Sequence, residues 1–174
     1  SQGMDYFTVN GSIAMKNAGE FVTDITPSGN VFVTPGLNLE GINVTSNGFI
    51  QSVGTGRIRL VADGQIGSTI NFQNNAGISN GSGNVFMQAG SFGSVQLNGN
   101  NIYTVGGEIK FNSNLVLNAS TRLETGLTGT SQNGVTFQNT VSGVSPLGQN
   151  LSIQSKGPVL FNMDAGTPSI PLGA

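Results

Sequence analysis

The sequence predicts an all-β chain wound as a single-stranded parallel β-helix of about six to seven coils, and three observations carry that expectation. A five-residue pattern returns at near-constant spacing along almost the whole chain. Apolar residues stand two apart in short runs rich in β-branched side chains, the period of a strand rather than a helix. Glycine, 27 of the 174 residues, gathers with Asn, Asp and Pro between those runs, where corners belong.

The pattern is one or two turn residues, an apolar residue, any residue, and a second apolar residue. It reads Gly29-Asn30-Val31-Phe32-Val33, Gly56-Arg57-Ile58-Arg59-Leu60 and Gly83-Asn84-Val85-Phe86-Met87. It continues as Gly107-Glu108-Ile109-Lys110-Phe111, Asn133-Gly134-Val135-Thr136-Phe137 and Gly157-Pro158-Val159-Leu160-Phe161. The first apolar positions (31, 58, 85, 109, 135 and 159) are 24 to 27 residues apart. One period earlier, Phe7-Thr8-Val9 has the same form.

Between these anchors lie further short runs: Ile42-Asn43-Val44, Phe49-Ile50, Ile70-Asn71-Phe72, Val95-Gln96-Leu97 and Ile102-Tyr103. Pro35-Gly36, Asp63-Gly64, Asn98-Gly99-Asn100 and Gly106-Gly107 separate them. About three strands per period is what one coil of a parallel β-helix needs, with coils stacked at about 4.8 Å. Inward residues then pile into columns of like side chains. Phe111, Phe137 and Phe161 form one, continuing Val33, Leu60 and Met87. Gly and Asn suit the corners because they tolerate tight turns and positive φ. A β-sandwich or jelly roll is the alternative, but nothing in a sandwich calls for one pattern at constant spacing. The regular apolar pairs also set the chain apart from a disordered, low-complexity segment. Residues 1–174 read as a single solenoid domain, with 1–28 as an N-terminal capping or irregular coil and 162–174 as a C-terminal extension.

Composition narrows the chemistry. The chain has no Cys, His or Trp, so Ser-His-Asp and Cys-His catalysis, structural zinc and disulfides are all excluded. Charged residues are 8% of the chain and the net charge is -2, which offers nucleic acid no electrostatic footprint. No apolar run is long enough to span a membrane. The carboxylates Asp5, Glu20, Asp24, Glu40, Asp63, Glu108, Glu124 and Asp164 are thinly spread, whereas glycoside hydrolysis needs a pair within about 10 Å. No enzyme, cofactor or metal site is expected, and no binding residue is assigned. Arg57 and Arg59 alternate with Ile58 and Leu60 and so point outward, with Lys110 two coils away on the same face; a solubilising face explains them better than an anion or glycan contact.

One stretch carries a resemblance. Gly134-Val135-Thr136-Phe137-Gln138-Asn139-Thr140-Val141-Ser142-Gly143, followed by Ser145-Pro146-Leu147 and Leu151-Ser152-Ile153, is similar to a unit of bacterial autotransporter and filamentous-haemagglutinin-like β-helix passengers. The resemblance is specific over this stretch and compositional elsewhere. It implies a right-handed β-helix carried outside an outer membrane.

The resulting expectation is a non-catalytic, cell-surface or secreted structural and adhesive segment, extracellular or on the bacterial surface. Its partner would be a receptor or glycan of a host or neighbouring cell, with no nucleic acid bound and no insertion of this segment into a membrane. The loops around residues 74 to 83 and 124 to 134 are the expected contacts. The alternative is a self-assembling extracellular fibre subunit that binds copies of itself end to end, through Asp5-Tyr6-Phe7-Thr8-Val9 and Pro168-Ser169-Ile170-Pro171-Leu172.

Overall fold

The computed structural model describes residues 6–16, 24–25, 30–41, 43–46, 49–52, 55–62, 66–73, 76–126, 133–145 and 148–163. Within those ranges side chains are described from residue 55 onward, and before it at Leu37, 43–46 and 50–51. These residues form a parallel β-solenoid with no helix.

Two strands, β1 (Tyr6–Lys16) and β2 (Asp24–Ile25), precede the long β3 (Asn30–Gly41), which is followed by β4 (Asn43–Ser46) and β5 (Phe49–Ser52). Four complete three-sided turns follow. They are β6 (Ile58–Ala62), β7 (Ile70–Phe72) and β8 (Gly77–Asn80); β9 (Val85–Gln88), β10 (Ser94–Asn98) and β11 (Asn101–Thr104); β12 (Ile109–Phe111), β13 (Asn114–Ala119) and β14 (Thr121–Thr125); and β15 (Val135–Phe137), β16 (Val141–Gly143) and β17 (Leu151–Ser155). The last described strand is β18 (Val159–Phe161). From β4 onward each strand pairs in parallel with the third strand along the chain, the signature of stacked turns.

Register turns the alternating pattern into columns. Ile58, Val85, Ile109, Val135 and Val159 stand in line, as do Leu60, Met87, Phe111, Phe137 and Phe161. A second face aligns Ile50, Ile78, Ile102, Leu123 and Ile153, and a third aligns Val44, Ile70, Val95, Leu115 and Val141. The three rows meet along the axis in one core, in which Phe72, Phe111, Phe137, Ile58 and Leu97 are among the largest fully buried side chains. Each such burial stabilises the fold by about 1.5–3 kcal/mol. Leu151 and Ile153 pack against this core only partly, and β18 is exposed along its length.

The glycine that opens the repeat has a steric reason, and positive φ is not it. A Cβ on Gly83 would lie 2.0 Å from the Gly56 carbonyl oxygen, and one on Gly107 1.9 Å from that of Gly83. The backbones of successive turns therefore meet at this corner more closely than any side chain allows. Beside the glycines runs an inward column of polar residues: Asn80, Thr104, Thr125 and Ser155. Each donates a hydrogen bond to a corner carbonyl. Asn80 reaches Gly83 O at 2.8 Å, Thr104 reaches Gly107 O at 2.6 Å, Thr125 also reaches Gly107 O, and Ser155 reaches Gly157 O at 3.0 Å. The buried carbonyls of Gly83 and Gly107 thus keep a donor.

Two expectations need correction. The turns number about four, not six to seven. Length that would have made further coils goes into β1 and β3, which pair along their whole extent, Phe7 with Val31 and Ile13 with Leu37, and shift register at Gly11. The register of Val31 also differs from expectation. Leu37 is the residue paired with Ile58, and Leu39 with Leu60, whereas Val31 pairs with Ile50 on the adjacent face. β3 runs through two faces without a break, so it carries the apolar pattern twice. The expected terminal contact Pro168–Leu172, with all of 164–174, lies outside the described residues, as does most of 17–29.

Candidate binding surface

Outward positions of the strands form columns just as inward ones do. Arg59, Phe86, Lys110 and Thr136 are aligned across four turns. The Arg59 guanidinium lies 6.0 Å from the centroid of the Phe86 ring, a cation–π contact worth about 0.5–1 kcal/mol at an exposed site. Arg59 and Lys110 thus share a face two turns apart, as expected, while the exposed Arg57 precedes the strand. Thr136 donates to Glu108 Oε1 at 2.7 Å. This face holds single, spaced charges and no dense cationic patch.

On the face of β11, β14 and β17, Arg122 forms an ion pair with Glu124 and donates to Gln154 Oε1 at 3.0 Å. Arg122 is half exposed, so the pair contributes at most about 1 kcal/mol. Among the described residues no three His, Cys, Asp or Glu side chains come together. Of the eight carboxylates, Asp5, Glu20, Asp63 and Asp164 lie outside the described residues. The same holds for residues 74–75 and 127–132 of the two expected contact loops.

The third corner, between β9 and β10 and its equivalents, is lined with amides. Asn112 Nδ2 donates to Gln88 Oε1 at 3.1 Å, and Asn162 Nδ2 to Gln138 Oε1 at 2.8 Å. Asn139 Nδ2 donates to the Asn112 carbonyl at 3.2 Å, and Thr140 Oγ1 to Asn114 Oδ1 at 3.0 Å. Ser113 is buried, accepting from Ala89 N at 2.9 Å and donating to Ala89 O at 3.1 Å.

Corner length varies from turn to turn and makes a step. The connection is 63–69 after β6 and 89–93 after β9, then shortens to 112–113 after β12 and 138–140 after β15. The 89–93 loop therefore overhangs the shorter corner beside it, and a concavity of about 460 Å³ opens between Gly90, Phe92, Asn112 and Asn139.

Phe92 stands on its rim with 91% of its surface exposed. It is also the one non-glycine residue with positive φ among the described residues, at 59°. A left-handed conformation costs a residue with a Cβ about 1–2 kcal/mol. The loop is braced by the preceding turn, with Gly90 N donating to Ser68 O at 3.1 Å, and by a bond of its own, with Gly93 N donating to Gly90 O at 2.8 Å.

No protein family, curated protein or solved structure matches this chain.

The surface must therefore be read from its own chemistry, which is that of neutral amides and hydroxyls around one exposed ring. None of the lining residues of the concavity carries a charge. Sequence reasoning singled out Arg57, Arg59 and Lys110 and missed this step. The repeat spacing gives no sign of it, because the turn with the short corner 112–113 runs from 109 to 135 and is longer, at 26 residues, than the 24 from 85 to 109.

Proposed function

We propose that this chain is a non-catalytic structural and adhesive segment of a cell-surface or secreted protein, of the kind found in the autotransporter and filamentous-haemagglutinin-like passengers it resembles. The observation that supports this reading is the uninterrupted three-faced stack. Parallel ladders tie every turn to the next, so outward side chains are held in fixed rows along a stiff axis. Amides and hydroxyls held this way present a partner with hydrogen-bonding groups whose ordering entropy is already spent in folding. The setting is extracellular, on a bacterial surface, and the partner is a receptor or glycan of a host or neighbouring cell. Beads coated with the purified chain should attach saturably to such cells and be displaced by soluble chain. Attachment no better than that of uncoated beads, across host and bacterial cells, overturns the reading.

A second reading has its own observation. The strand β18 has no partner on its outer edge among the described residues, and Val159, Leu160 and Phe161 are 39%, 47% and 42% exposed. An open parallel edge over an apolar end is a template for another strand. A fibre subunit adding copies end to end would use it. Scattering mass that rises with concentration, with filaments in electron micrographs, supports the fibre; constant monomer mass opposes it.

A further inference from the structure

Phe92 and Gly67 occupy the same corner position in consecutive turns. β7 and β10 pair Ile70 with Val95, and Gly67 N donates to Ser91 O at 2.7 Å, so the two bends lie one on the other. Both positions have positive φ, 83° at Gly67 and 59° at Phe92. In one turn the corner is occupied by the residue that adopts this conformation without strain. In the next it is occupied by an aromatic residue whose ring is left in solvent, where it gains no burial. Folding accounts for the glycine and not for the phenylalanine. Strain kept at an exposed aromatic is a mark of function rather than of stability.

Beneath the ring the amide row is only half used. Gln88 spends Oε1 and Asn112 spends Nδ2 on each other, Asn114 accepts through Oδ1, and Asn139 donates through Nδ2. Gln88 Nε2, Asn112 Oδ1, Asn114 Nδ2 and Asn139 Oδ1 have no hydrogen-bond partner among the described residues. Donors and acceptors are therefore mixed, uncharged, and fixed by the bonds their other halves make. We propose that this step is a binding site for a neutral saccharide, with the apolar face of a pyranose ring on Phe92 and its hydroxyls on the free amide groups. A sugar hydroxyl both donates and accepts, which suits such a row. An apolar ligand would leave the amides unsatisfied, and an anionic one finds no cation there. The concavity, about 460 Å³, is within the range of small-ligand sites.

This inference rests on the adhesive reading and assigns its contact. The test is titration of the whole chain with neutral hexaoses of glucose (α- and β-linked), mannose and N-acetylglucosamine, followed by calorimetry and NMR. Polygalacturonate serves as the anionic comparison. At least one neutral hexaose is expected to bind with a Kd of about 1 mM or tighter, shifting resonances of Phe92 and Asn112. Phe92→Gly should weaken that binding by at least about tenfold. It should leave the thermal midpoint equal or higher, because it restores the residue of the preceding turn. Phe92→Trp should retain binding. No neutral hexaose bound at ~10 mM, equal binding by Phe92→Gly, or preference for polygalacturonate overturns the site. Cell attachment that survives Phe92→Gly overturns the assignment of this site as the adhesive contact, while leaving the adhesive reading intact. Hexaose binding without cell attachment supports the site and overturns the adhesive reading.

Discussion

The rings of Phe111 and Phe137 lie 5.4 Å apart and within 2° of parallel, and Phe161 adds a third ring 4.6 Å from Phe137. Isolated aromatic pairs favour offset or edge-to-face geometry. Here the strand ladder dictates the spacing, since Phe111 pairs with Phe137 and Phe137 with Phe161 in the parallel register. The gain is burial imposed by the backbone repeat.

That argument grades the column. Phe137 is buried between two rings, so Phe137→Ala should lower the unfolding free energy by about 3–5 kcal/mol, and Phe137→Leu by about 1.5 kcal/mol. Phe161 is 42% exposed, and Phe161→Ala should cost less than half as much as the change at Phe137. Urea unfolding followed by far-ultraviolet circular dichroism measures all three. Equal losses at the two positions would contradict the stacking order.

Buried amides hold the corner between β10 and β11. Asn100 is 1% exposed; its Nδ2 donates to Gln73 O at 2.9 Å and Ala76 O at 2.8 Å, and its Oδ1 accepts from Asn98 N at 2.7 Å. One side chain thus satisfies three backbone groups in two turns. Asn100→Leu keeps the branched heavy-atom shape and strands all three, so it should destabilise by about 2–4 kcal/mol. A loss below about 0.5 kcal/mol would mean that the corner relaxes onto other partners.

Much of this architecture was legible because a strand's period of two leaves little freedom. Once Ile58, Val85, Ile109, Val135 and Val159 are seen to recur, stacking them puts Leu60, Met87, Phe111, Phe137 and Phe161 in register as well. Val31 escaped because Val31-Phe32-Val33 and Leu37-Asn38-Leu39 carry the same pattern on one strand, and only pairing shows which of them faces Ile58. The binding surface was less legible. Nothing in a phenylalanine predicts positive φ, and the step at Phe92 arises from two corners of unequal length, a property of neighbouring turns rather than of any one segment. The polar column had a faint signal: Asn80, Thr104, Thr125 and Ser155 follow an apolar residue at the strand end where a second apolar residue would be expected.

That column supplies a coupling test. Thr104 Oγ1 and Thr125 Oγ1 are 3.2 Å apart, and both donate to the Gly107 carbonyl. Either hydroxyl alone keeps that oxygen satisfied, so Thr104→Val or Thr125→Val should cost about 0.5–1.5 kcal/mol each. The double substitution leaves the carbonyl without a donor, and its loss should exceed the sum by about 1 kcal/mol or more. Additive losses in a double-mutant cycle would show that the two hydroxyls act independently.

Glycines of this chain serve two distinct ends, and alanine separates them. At Gly107 a Cβ would lie 1.9 Å from Gly83 O and 2.8 Å from Asn84 N, so two turns of backbone would have to part. At Gly67 nothing stands within 4 Å, and the only penalty comes from φ of 83°. Gly107→Ala should therefore destabilise by more than about 3 kcal/mol, and Gly67→Ala by about 1 kcal/mol. At about 2–4 °C per kcal/mol for a chain of this size, the thermal midpoint should fall at least three times as far for Gly107→Ala as for Gly67→Ala. An equal fall would mean that backbone conformation, rather than close approach of stacked turns, sets the requirement for glycine at the opening of each repeat.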